Sequence, residues 1–362
     1  MKKSSILVVG TGTIGEPLIG LLADFKKKLH ISEVMFHKRT PLRDEVAKVK
    51  SLIKRGAKLV VNQDKIEEFK ALGHKPKYTS FDKALEKAHV VIDCTPAGNQ
   101  NRINHYDKYN LIKYKDKMFI AQGSEKGFGL PYAYGVNDEA LEDILSNFIQ
   151  VVSCNTHNIA CLIKTITPNV YDLISGDFVC IRRANDISQN GSFIASPQVG
   201  KHNDTKFGTH HARDASDLFE TLYQYPNIYS SAMKLNTQYM HVIRFSLVVK
   251  GTVAKHNLVA RLRENKFVAM TEKTLANKVF SFGRDHGYYG RIFNQTVVST
   301  PSLTTVSLGG TTQISGFCFT PQDGNSLLSS VAATMYAMHR KEYKSYICLL
   351  YTSDAADDLL CV

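Results

Sequence analysis

The sequence predicts an α/β protein whose first half is a parallel sheet and whose second half is an α+β domain with a mostly antiparallel sheet. Three observations carry this. Short β-rich runs alternate with helical patterns up to about residue 150, as a parallel sheet with crossover helices requires. A glycine-rich turn joins the first strand to the first helix, in "VVGTGTIG". After Cys154 the texture shifts to longer β-rich stretches with Ser/Gly/Asn/His-rich loops.

Taken in order, strands are expected over residues 5–10, 33–37, 90–93, 118–121 and 149–153. Helices are expected over 14–25, 42–55, 66–71 and 81–88, with another starting at 137–143. Residues 59–77 read as a connecting element. A helix follows over the cysteines of "SCNTHNIACL", then the strand-like "DFVCIRRAND", then a long loop to about Ser216. A strand pair is expected around "YMHVIRFSLVVKG", and a Thr/Ser-rich β region runs to about Phe319. "SLLSSVAATMYAMHRKEYKS" reads as one amphipathic helix. The domains are expected at 1–153, 154–320 and a C-terminal helix over 321–347 that returns to the first domain.

The 362 residues are 43% hydrophobic and 22% charged, ordinary for a globular chain of about two domains. No apolar run reaches the roughly 18 residues of a membrane span, and "MKKSSILVVG" reads as a first strand with no cleavage-site pattern. The seven cysteines form no CxxC pair, which points to reduced thiols and a cytoplasmic setting. No H-x-x-x-H or Cys/His cluster suggests a metal. The formal charge of +12 is spread through strands and helices with no basic tail, so a nucleic-acid partner is disfavoured. An electropositive site for a phosphorylated small molecule is the simpler reading. The tail "CLLYTSDAADDLLCV" changes composition abruptly and resembles the translation of a sequencing adapter. Residues 348–362 are therefore read as an artefact that replaces the true C-terminus. Without it, 45 basic residues face 30 acids, or +15.

Gly10, Gly12 and Gly15 stand in G-x-G-x-x-G spacing, between an apolar strand and a helix start that includes Thr13 and Ile14. The first glycine allows a tight turn, the second close approach of a pyrophosphate, and the third helix–strand packing. This is the signature of a Rossmann dinucleotide-binding domain, the alternative being a purely structural turn. An NAD site usually has Asp or Glu at the end of the second strand. Here that strand ends "FHKRTP", with Lys38, Arg39 and Thr40 and no acid, which favours NADP and tolerates NAD.

Cys154 follows an apolar strand and opens a helix, where the dipole and free amides stabilise a thiolate. By itself this leaves nucleophile and packing residue equally open, and Cys161 further along reads as core. Among thirteen histidines, His210 and His211 fall in the polar loop "THHARD", and His241 falls in a strand pattern, on the face of Tyr239 and Ile243. Arg182 and Arg183 end a buried-looking strand, so at least one is expected to reach a site and suit a phosphate, the equal alternative being a surface salt-bridge pair.

Together, "DCTPAGNQNRIN", "AQGSEK", "VVSCNT", "IRRAND", "THHARD" and "MHV", in this order, resemble the archaeal-type (class II) glyceraldehyde-3-phosphate dehydrogenases. The resemblance implies Cys154 as nucleophile and His241 as general base. It implies Arg182 and His211 as substrate-phosphate holders, with Asn155 and Thr156 near the second anion and the nicotinamide. Lys38 and Thr40 match its NADP-favouring strand end, Thr95 and Pro96 its cofactor-lining turn, and Gln122 and Gly123 the strand end near the nicotinamide. The implied activity is phosphorylating oxidation of the aldehyde to 1,3-bisphosphoglycerate with NAD(P) and inorganic phosphate, by a homotetramer. The chain departs from the pattern at His157, at Thr209, at Ile243 where a second histidine is expected, and in an inserted "VGKHNDTKFG". Two alternatives stay open: a dehydrogenase of another phosphorylated aldehyde or semialdehyde, and a non-catalytic nucleotide- or RNA-binding protein on the same fold.

Overall fold

The computed structural model describes residues 4–109, 116–123, 125–185, 191, 193–287, 289–321 and 323–351. Most of the tail read as an artefact, residues 352–362, lies outside them. The chain divides into two compact units. Unit 1 holds 1–130, 144–151 and 329–348, and unit 2 holds 131–143, 152–328 and 349–362.

Unit 1 is built on a parallel sheet of β1 (Ser5–Val9), β2 (Glu33–His37), β3 (Lys58–Val60), β4 (Val90–Asp93), β5 (Met118–Gln122) and β7 (Phe148–Val151). The strand order is β3-β2-β1-β4-β5-β7, with β6 (Leu130–Tyr132) at the edge. The order reverses at β1 and β4, the switch point where ligands bind in such sheets. All five residues of β1 are buried, as expected for a parallel strand covered on both faces. Helices α1 (Gly15–Asp24), α2 (Val46–Lys54), α3 (Ile66–Ala71) and α4 (Phe81–Lys87) follow the expected segments, and α5 (Gly98–Asn101) is a single short turn.

Some expectations fail. The segment read as a connector contains β3, which pairs with β2 through three residues and is too short to show periodicity. The helix expected at 137 is one 3-10 turn, Asp138–Leu141. Asn137 is buried there, its Oδ1 accepting from the Ala133 N–H at 3.0 Å and its Nδ2 donating to the Pro131 carbonyl at 2.8 Å. A side chain satisfied by local backbone favours a turn over a helix.

Unit 2 carries the mixed sheet. Its strands are β8 (Leu173–Arg182), β9 (Gln198–Val199), β10 (Ile228–Lys234), β11 (Val242–Lys250), β12 (Val268–Thr271), β13 (Thr296–Ser299), β14 (Thr304–Leu308) and β15 (Thr311–Phe319). The order is β12-β13-β15-β11-β8-β10-β9, with β14 on β15. The β12–β13 and β8–β10 pairs are parallel and the other described pairs antiparallel. Buried residues alternate along β11, so one face makes core with α6 (Cys154–Ile166) and α7 (His210–Glu220). Helices α8 (Lys255–Glu264) and α9 (Ala276–His286) interrupt the region read as β.

The last expected helix is α10 (Gly324–His339), followed by a 3-10 turn and α11 (Tyr343–Tyr351). It is not amphipathic: residues 324–336 are all buried. Its Ser and Thr residues read as a polar face, but they are small, and a buried hydroxyl can be satisfied within the helix, as Thr334 Oγ1 is by the Ser330 carbonyl at 2.7 Å.

Candidate active site

In unit 1 the glycine turn follows from local sterics. Gly10 takes φ +94°, where a side chain would be strained. A Cβ on Gly15 would lie 2.2 Å from the Gly10 carbonyl oxygen, so strand and helix approach only because that position is glycine. No side chain caps α1 at Ile14; in its first turn the Glu16 N–H donates to the Gly12 carbonyl at 3.1 Å, and Pro17 has no N–H to satisfy. Gly12 and Thr13 are half-exposed on the same turn. This cradle, with glycine where a Cβ would fill it, fits a dinucleotide pyrophosphate.

The other cofactor candidates gather at the strand ends of the same unit. Asp93 ends β4 and is buried as a hub. It accepts from the Thr95 N–H at 2.9 Å, Thr95 Oγ1 at 2.6 Å, Asn101 Nδ2 at 2.8 Å and Tyr106 OH at 2.7 Å. Those bonds shape the turn that leaves Pro96 exposed. Gln122 is buried at the end of β5, its Nε2 donating to Ser330 Oγ at 2.6 Å while its Oε1 has no hydrogen-bond partner among the described residues. Gly123, at φ +77°, donates its N–H to the Val151 carbonyl at 2.9 Å. Thr40 is exposed, whereas Lys38 is buried and ion-paired with Glu45.

In unit 2, Ser153 leaves β7 in an extended conformation and Cys154 opens α6, partly exposed. Asn325 donates to the Cys154 carbonyl at 2.9 Å. Asn155 and Thr156 turn inward: Asn155 Oδ1 accepts from Thr320 Oγ1 at 3.0 Å, and Thr156 Oγ1 pairs with Ser153 Oγ at 2.9 Å. The Thr320 N–H donates to the His241 carbonyl at 2.9 Å. One threonine thus ties the start of α6 to the histidine that stands just before β11. His157 is fully buried, its Nδ1 donating to the Ser153 carbonyl at 2.9 Å, and burial pulls its pKa down to about 4. It is a neutral packing residue. Cys161, Cys180 and Cys318 are buried too, which pushes their thiols up to about 12.

His241 does not lie inside the strand but one residue before it. Its Nδ1 accepts the Arg183 N–H at 3.0 Å. Burial, then the charges of Arg183 and Arg182, bring its pKa down to about 3. The ring is therefore neutral, and with Nδ1 accepting, its proton sits on Nε2. The two arginines divide. Arg183 is buried against Asp323, 3.3 Å away, while Arg182 is exposed and lines a cavity of about 550 Å³.

Lys201, Thr209, His210, His211 and Arg213 line the same cavity. The sequence reading put the histidine pair in a loop, but His210 and His211 open α7, capped by Thr209 Oγ1 accepting the His211 N–H at 3.4 Å. His211 is 4% exposed, and neither ring nitrogen has a hydrogen-bond partner among the described residues. Burial, then His210, Arg182 and His241, hold its pKa well below the usual value. Arg182 and His241 thus lie near enough to His211 to disfavour its protonation. A neutral imidazole and a guanidinium facing one cavity can hold an oxyanion without drawing protons from water.

Sequence reasoning missed Glu45, Asp93, Thr320 and Asn325. Thr320 and Asn325 act through partners more than 160 residues away, whereas Glu45 and Asp93 act on near neighbours that no spacing rule pairs with them.

A glycine turn after a first strand and a cysteine at a helix start are parts that a nicotinamide-dependent oxidoreductase of aldehydes needs. Similar curated proteins narrow the class. The glyceraldehyde-3-phosphate dehydrogenase of Picrophilus torridus is 30% identical over 244 residues, 67% of this chain and 64% of that protein, just under two thirds of its length. The protein of the same name from Sulfolobus acidocaldarius is 26% identical over 317 residues, 84% of each chain. That from Archaeoglobus fulgidus is 25% identical over 291 residues, 79% of each. No family model matches the chain. Over most of its length the chain is thus similar to archaeal proteins named glyceraldehyde-3-phosphate dehydrogenase.

Proposed function

We propose that this protein oxidises glyceraldehyde 3-phosphate to 1,3-bisphosphoglycerate with inorganic phosphate and a nicotinamide dinucleotide, through a thioester on Cys154. One observation carries the reading: the unpartnered, buried His211 faces a cavity shared with Arg182, in the unit that also holds Cys154 and His241. The glycine turn, Thr95, Pro96, Gln122 and Gly123 hold the dinucleotide, which supplies the hydride acceptor.

Cys154, as the thiolate, attacks the aldehyde carbon and forms the C–S bond, and the carbonyl electron pair moves to oxygen. The His241 Nε2–H donates to that oxyanion. Departure of hydride collapses the oxyanion to the thioester, so the only proton lost is the thiol's. A phosphate oxygen then adds to the thioester carbonyl and the thiolate leaves. Arg182 and His211 hold the substrate phosphate by charge-assisted and neutral hydrogen bonds. His241 acts here as a donor and not as a general base. To take a proton at Nε2 the ring would have to release the Arg183 N–H.

Oxidation of glyceraldehyde 3-phosphate, assayed with and without phosphate and with NADP or NAD, tests the reading. Phosphate-dependent reduction of the dinucleotide, abolished by iodoacetate, is expected. Phosphate-independent turnover, or none, sinks it. The cavity exceeds the space a phosphoryl group needs and favours one second reading, a longer phosphorylated aldehyde, which the same assay separates by kcat/KM. A cytoplasmic homotetramer completes the reading, and light scattering of the purified protein checks the assembly.

A further inference from the structure

The end of β2 decides which dinucleotide such a sheet takes, because the adenosine ribose lies over it. Lys38, immediately after β2, is buried, but its ammonium is not available: it is paired with Glu45 Oε2. Glu45 lies in a 3-10 turn, Arg43–Glu45, just ahead of α2. Its other oxygen, Oε1, receives Lys48 Nζ at 2.6 Å. Lys48 in turn donates to the Thr11 carbonyl at 3.2 Å, in the glycine turn, and stands 3.5 Å from Glu16. One carboxylate therefore clasps two lysines between the glycine turn and the end of β2. Burial alone would raise the Glu45 pKa, but hydrogen bonds from Lys38 and Lys48 outweigh it and keep the group ionised.

We propose that Glu45 sets the nucleotide preference of this protein, by neutralising Lys38 and supplying the ribose-facing carboxylate that the second strand lacks. The inference rests on the dinucleotide reading of the glycine turn. A ribose diol has hydroxyl donors to offer Glu45. A 2′-phosphate must compete with Glu45 for Lys38, and its charge is repelled by the carboxylate. The cationic strand end "HKRT" thus overstates the preference for NADP, since its buried lysine is already matched.

Calorimetric titration of the full chain with NAD and with NADP tests this, for the wild type and for Glu45→Gln. The glutamine keeps the shape and an acceptor oxygen but removes the charge. The expected result is a rise of about tenfold in the NADP-to-NAD affinity ratio, the size of one ordinary charge interaction, with NAD affinity changed less than about threefold. Lys38→Gln should move the ratio the opposite way, which covers the case of a misfolded Glu45 variant, and melting curves identify misfolding. A ratio unchanged or lowered in Glu45→Gln overturns the proposal while leaving the dinucleotide site standing. A wild type that binds neither nucleotide overturns the site and the proposal together.

Discussion

The two units build their sites from different materials. The glycine turn of unit 1 is backbone: Gly10 and Gly15 lie five residues apart, and what they offer is space for a close backbone approach. The site of unit 2 is side chains on separate elements: Cys154 on α6, Arg182 on β8, His211 on α7, His241 before β11 and Thr320 after β15. A local backbone site tolerates drift elsewhere but no Cβ at its closest approach. A dispersed side-chain site tolerates local change but depends on every element that carries a member.

Substitutions should separate the two, the sharpest being in unit 2. Cys154→Ser is expected to lower kcat by 10⁴-fold or more, because the alcohol is a far weaker nucleophile at neutral pH; steady-state assays with intact NADP binding check it. Next comes His241. Replacement by Ala should cost about 10²–10³-fold in kcat, the range of a lost oxyanion donor. His241→Gln can still accept from the Arg183 N–H and donate in place of Nε2, so it should retain at least tenfold more activity than the alanine. Equal losses in both variants would restore the general-base role.

On the backbone side, Gly15→Ala forces a Cβ to within 2.2 Å of the Gly10 oxygen. The turn must open, at a cost of about 1–3 kcal/mol for overpacking, and calorimetry should find nucleotide binding weakened while Cys154 still reacts with iodoacetate. Unchanged nucleotide affinity would show that the turn is not the binding surface.

The smallest effect expected is on acid stability. His157 and His241 are buried and neutral, with pKa values of about 4 and about 3, below the ordinary 6.5. The unfolded chain takes up these protons first. Their contribution is therefore full above about pH 6.5 and is lost as pH falls toward 4, by about 2 kcal/mol per histidine at pH 5. Urea midpoints at pH 7 and pH 5 measure it, and His157→Leu should flatten the difference. An identical slope in that variant would mean that His157 is not the buried neutral group.

Legibility followed the range of the interaction. The α/β class, the strand ends at His37 and Asp93 and the start of α6 at Cys154 came from periodicity and local spacing. β3 escaped because three residues hold no period. α10 was misread because buried serines and threonines look like a polar face in sequence. His210 and His211 were placed in a loop because their helix begins at the pair itself, after a Gly-rich run. Candidate site residues were nameable from motif order, but their states were not. Nothing local says that Lys38 is already paired, that Asn155 is turned toward Thr320, or that the His211 ring nitrogens have no hydrogen-bond partner among the described residues.

By itself the sequence determined the glycine turn, the parallel sheet behind it and the cysteine at a helix start, because each depends on residues within one or two turns of chain. Only the tertiary structure decided which groups are charged, paired or free. Glu45 folds back onto Lys38 across a loop, and Arg183 fixes the His241 tautomer and Thr320 joins α6 to β11 through contacts between distant segments. Ionisation and hydrogen-bond direction depend on what surrounds a group, and that is known only once the chain is folded.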